Sequence, residues 1–76
     1  MVTNMKLHCI IQDFPKFNQV MMTFHNGKYE FSKLFKSMND AKKEMLTVKD
    51  LAIKAISKKY AEPMDFQFDG TFEVKK

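Results

Sequence analysis

Only one stretch of this chain carries apolar residues at helical spacing, and segments that alternate with a period of two lie on both sides of it. From about residue 38 to 61, Met38, Ala41, Met45, Val48, Ala52, Ala55 and Ile56 recur every three or four positions, with Leu51 at one margin. At about 100° per residue these positions form a single stripe, which needs one apolar surface to rest on. A lone amphipathic helix lying on a sheet meets that need, so the expected fold is a two-layer α+β domain. Ser37 with Asp40 three residues on can satisfy the first orphan amides and complement the helix dipole. Pro63 is the expected stop. Thr47-Val48-Lys49-Asp50 has the form of a second cap and marks a candidate break.

The flanks supply the sheet. Met5, Leu7, Cys9 and Ile11 alternate with Lys6, His8 and Ile10 as in a half-buried strand, and Phe14-Pro15-Lys16-Phe17-Asn18 interrupts it as a loop. Asn26-Gly27 between two apolar runs signals a type I′ hairpin. A two-residue loop there sets Phe24 against Tyr29, Met22 against Phe31 and Val20 against Lys33. Thr23 then meets Glu30 and Met21 meets Ser32 on the other face. After the helix, Met64, Phe66, Phe68, Gly70, Phe72 and Val74 take every second position, which predicts one long strand bent at a bulge on Gly70. The order is β-β-β-α-β: a four-stranded, mainly antiparallel sheet covered on one face by one long helix, with the last strand returning parallel beside the first.

The chain has 76 residues, read as a single domain over 1–76. At that size folding buries only about 60% of the unfolded surface, so extra apolar burial by self-association carries weight. All 13 positive side chains are lysines, and the formal charge is +4. This favours anionic partners. The arginine-free, Met- and Phe-rich composition fits an AT-rich coding sequence and is similar in style to that of small early proteins of tailed phages, without a shared motif. The single cysteine, Cys9, excludes an intramolecular disulfide. No apolar run approaches the roughly 20 residues of a membrane span, and the start of the chain has no signal-peptide core. The expected setting is cytoplasmic, or the host cytoplasm for a viral protein, with no membrane partner.

Three surfaces are candidates for function. Leu46, Ile53 and Tyr60, spaced by seven, point away from the core stripe and form an association seam for a homodimer or a docked protein. Lys42, Lys43, Lys49, Lys54 and Lys58 form a candidate anion or nucleic-acid contact, set against the ordinary reading of a solvated helix face with Glu44 and Asp50 interspersed. Without arginine, base-specific readout is disfavoured. Phe14, Phe17 and Tyr29 are the candidate exposed aromatics.

Catalytic and metal chemistry find little support. His8 and Cys9 are adjacent, so on a strand they point to opposite faces. His25 sits by the turn on the polar side, and Asp65, Asp69 and Glu73 alternate on the outer face of the last strand. Glycine occurs only at 27 and 70, which leaves no phosphate-cradling loop. The expectation is a non-enzyme with no cofactor, metal or small-molecule substrate. The leading functional expectation is a small regulatory or inhibitory binding protein, phage- or mobile-element-encoded, that occupies a partner protein or a protein–nucleic-acid complex. Two other classes stand beside it. One is a sequence-independent RNA or single-stranded DNA binder using the lysine-rich helix face. The other is an antitoxin-like module, because the strand order is similar to that of small sheet-and-helix antitoxins.

Overall fold

A computed structural model describes residues 3–61 and 64–75. The first alternating run forms β1 (Thr3–Lys6) and β2 (His8–Phe14). Leu7 lies between them, buried, with its amide donating to the Gln67 carbonyl at 2.7 Å. A short 3₁₀ turn over Pro15–Phe17 and Asn18 in the left-handed region (φ 52°) lead into β3 (Gln19–Asn26). Then follow β4 (Tyr29–Phe35), α1 (Met38–Lys43), α2 (Met45–Tyr60), β5 (Met64–Gln67) and β6 (Phe72–Lys75).

The sheet order is β4-β3-β2-β6, with antiparallel pairing of β4 to β3 and β3 to β2, and parallel pairing of β6 to β2. β5 pairs in parallel with β1. The C-terminal strand therefore returns beside the first one, giving the α+β architecture that the sequence pattern predicts.

The bend in the last strand is larger than a single extra residue. Lys6 faces Gln67 and Cys9 faces Phe72, so the chain takes three steps on one side and five on the other. Two surplus residues bulge out around Gly70, whose φ of +88° suits glycine. An even surplus keeps the parity, and Phe72 and Val74 stay on the same face as Cys9 and Ile11. Asp69 holds the bulge. Its carboxylate accepts from the Thr71 amide at 3.0 Å and the Thr71 hydroxyl at 2.7 Å, and pairs with Lys6 Nζ at 2.7 Å.

Two local readings need correction. The hairpin pairs Asn26 with Tyr29, Phe24 with Phe31, Met22 with Lys33 and Val20 with Phe35, so the loop is Gly27-Lys28 rather than Asn26-Gly27. Gly27 has φ +57° and Lys28 has no positive φ, the pattern of a type II′ turn with glycine first. The shift is two residues, so the faces survive while the partners change. On the open face Thr23 now meets Ser32, their hydroxyls 2.9 Å apart.

The helix is continuous through Thr47 and breaks instead at Glu44, between α1 and α2. Ser37 caps α1 as expected, its Oγ accepting from the Asp40 amide at 3.1 Å. α2 ends at Tyr60, where Ala61 turns left-handed at φ 50°. Pro63, the expected stop, lies outside the described residues.

The core lies between the two layers. Cys9, Ile11, Val20, Met22 and Phe24 from the sheet meet Ala41, Met45, Val48, Ala52 and Ile56 from the helices, all buried. Each large side chain removed from water here stabilises by roughly 1.5–3 kcal/mol. The coverage is lopsided. α2 packs mainly on β4, and α1 crosses the β2, β3 and β4 side, which leaves β6 beyond the helices' main footprint. Phe72 and Val74 stand on the core-side face yet remain 41% and 44% exposed.

Candidate interaction surfaces

The three seam residues separate in the structure. Leu46 projects into solvent at 65% exposure, whereas Ile53 and Tyr60 are half-buried against the core. Tyr60 is anchored within the subunit. Its ring meets Tyr29 edge to face at 4.8 Å, and its hydroxyl donates to the Lys28 carbonyl at 3.2 Å. Tyr29 also meets Phe66 at 5.6 Å. The stack closes the end of the core near the hairpin turn, where β1 and β5 extend past the turn. Tyr29, expected as an exposed aromatic, is only 4% exposed because this cluster encloses it. Phe17 is 71% exposed at the 3₁₀ turn, and Phe14 is half-buried beside it.

The five candidate anion-binding lysines do not converge on one point. Lys43, Lys54 and Lys58 are exposed and fall on the outward side of the helices. Lys42 is also exposed but leans over β6, its ammonium 5.8 Å from the Phe72 ring centre. Lys49 is half-buried and paired with Asp50 at 2.9 Å. The outward ridge is bordered by apolar side chains, Leu46 on one flank and Leu51, 41% exposed, on the other. Leu51 was legible only as a margin of the stripe. Beside the ridge, Lys36 and Lys43 with Asp40 and Glu44 rim an open recess of about 730 Å³ floored by Leu34 and Phe35.

The uncovered face of the sheet brings His8 and His25 together as cross-strand partners, ring centres 5.6 Å apart. With Thr71, Phe72 and Glu73 they line a recess of about 420 Å³. The Nε2 of His25 is buried and has no hydrogen-bond partner among the described residues. No group of three or more His, Cys, Asp or Glu side chains among the described residues is placed to hold a metal. The acidic row of the last strand is divided by the bulge, and Asp69 is engaged with Lys6 and Thr71. Those contacts, the Lys6 ammonium first, hold its carboxyl well below the usual range. Burial pushes the Cys9 thiol up to about 11, which keeps it protonated and unreactive at neutral pH.

No helix among the described residues is long and apolar enough to cross a membrane. No family model matches the chain, and no curated protein or solved structure matches it either.

Proposed function

We propose that the chain is a small non-catalytic binding protein, regulatory or inhibitory in effect, that acts by occupying the surface of a partner protein or of a protein–nucleic-acid complex. The observation that carries this reading is the outward layer of α1 and α2, where Leu46 and Leu51 stand exposed on either side of Lys43, Lys54 and Lys58. Exposed leucines bordering a cationic ridge suit a partner that buries apolar area at its centre while acidic groups meet the lysines.

A second reading, a sequence-independent RNA or single-stranded DNA binder, is favoured by the ridge alone, since spaced lysines neutralise phosphates without reading bases. Recovery of partners on immobilised protein, with and without nuclease, tests the two together with Leu46→Lys, Leu51→Lys and Lys54→Glu/Lys58→Glu variants. A protein partner is expected to survive nuclease and to be lost with either leucine. A partner lost to nuclease, with affinity falling steeply between 50 and 200 mM salt (roughly the range over which phosphate contacts weaken) and indifferent to the leucines, refutes the first reading in favour of the second.

A further inference from the structure

We infer that β6 is a self-association edge, through which two copies of this chain join their sheets in antiparallel register about a twofold axis at Val74. Among the described residues β6 pairs with β2 on one side only, so every second residue of Phe72–Lys75 turns its amide and carbonyl away from the sheet. Edge strands of folded proteins are normally blunted by a covering helix, a proline or an inward charge. Here the core-side positions are Phe72 and Val74, both exposed, and among the described residues the ammonium of Lys42 lies over the Phe72 ring. The other edge, β4, differs: Tyr29 and Phe35 on its core side are buried beneath the helices.

The sequence of β6 identifies the occupant as a second copy. Two antiparallel strands that keep their core-side residues on one face must be centred on an odd or an even position of the same set. Centring on Glu73 opposes two glutamates, which is unfavourable. Centring on Val74 opposes Val74 to Val74 and places Glu73 opposite Lys75 twice, once on each side of the axis. Phe72 then lies diagonal to the partner's Val74, within reach of an aromatic ring. Both helix layers fall on the same side of an eight-stranded sheet, and the exposed apolar side chains of the two copies adjoin. The interface is isologous and closes on itself, so it gives a dimer rather than a fibre. It is independent of the partner-binding layer, which lies on the outer side of the helices.

Sedimentation from 5 to 500 µM (about the range of a weak to moderate homodimer) tests this with charge exchange at exposed positions that the fold does not need. The wild type is expected to dimerise within that range. Glu73→Lys and Lys75→Glu, each of which opposes like charges twice, are expected to weaken the dimer by about 3- to 30-fold, and the double variant to restore it. Cys9→Ala/Val74→Cys is expected to cross-link on mild oxidation, since directly opposed residues of antiparallel strands are about 4.5–5.5 Å apart at Cα, within disulfide reach. A wild type that remains monomeric at 500 µM overturns the inference. A dimer unaffected by either single reversal, not recovered by the double exchange, or not cross-linked through residue 74 overturns it equally.

Discussion

Tyr60 distinguishes a residue that holds one subunit together from one that waits for a partner, and its removal has a calculable effect. Its hydroxyl donates to the Lys28 carbonyl, and its ring packs on Tyr29. Tyr60→Phe removes only the hydrogen bond; at this solvent-accessible site the loss is expected at the low end of the usual range, about 0.5–1 kcal/mol. Tyr60→Ala also removes the edge-to-face pair, worth about 0.5–1.5 kcal/mol, and the apolar area of a half-buried ring, for a total of about 2–3 kcal/mol. A domain of this length has about 4–11 kcal/mol of stability, so the alanine variant loses a large share of it. At about 4–8 °C per kcal/mol, the melting midpoint is expected to fall by about 10–20 °C for alanine and by a few degrees for phenylalanine. Urea unfolding followed by circular dichroism at two protein concentrations tenfold apart checks both values. The differences between variant and parent must be the same at both concentrations, because the contacts are intramolecular. The reasoning fails if Tyr60→Ala costs less than about 0.5 kcal/mol, or if its cost grows with concentration.

Four further outcomes are expected. Phe24→Ala, which empties a fully buried site beside Phe68, costs about 3–5 kcal/mol and brings the domain close to unfolding at 37 °C in thermal melts. Ser37→Ala removes the cap of α1 and lowers stability by about 1 kcal/mol, measurable by urea midpoint, while Ser37→Asp largely preserves it. The raised thiol of Cys9 leaves it unreactive to maleimide at pH 7.5 until the chain unfolds. Because its folded pKa of about 11 exceeds the ordinary 9.0, the stability it contributes is intact below pH 9 and lost as pH rises through 11, a slope that Cys9→Ala abolishes. Asp69 has the opposite sign. Its lowered pKa contributes stability above the ordinary carboxylate range that disappears as pH falls below it, and Asp69→Asn is expected to flatten the acid limb of the unfolding midpoint.

The parts of the fold that local chemistry dictates were legible in the sequence. The strand alternations, the helical stripe and the Ser37 cap each depend on neighbours within a few residues. The hairpin register was not, because Asn26-Gly27 suits a I′ loop while Gly27 can also open a II′ loop. The choice falls to the longer-range gain of Val20 meeting Phe35 and of Asn26 donating its side-chain amide to the Lys6 carbonyl. The break at Glu44 carries no glycine or proline to announce it. Tyr29 and Tyr60 looked amphipathic and available, yet they bury each other because the turn end of the hairpin meets the last turn of α2. The pairing of His8 with His25 depends on strand register, and sequence spacing does not reveal it. For Phe72 and Val74, alternation predicted the face but not whether a helix would reach over it.

The pairing of β1 with β5 joins Thr3 to Met64, residues more than sixty positions apart. As the polypeptide emerges during synthesis, β2, β3, β4 and both helices can assemble from contacts close in sequence, but β1 gains its strand partner among the described residues when residues 64–67 arrive. Closing that long loop is entropically slow, so β1 pairs late. For that interval it is the part of the nascent chain most open to chaperones and to mispairing with other strands.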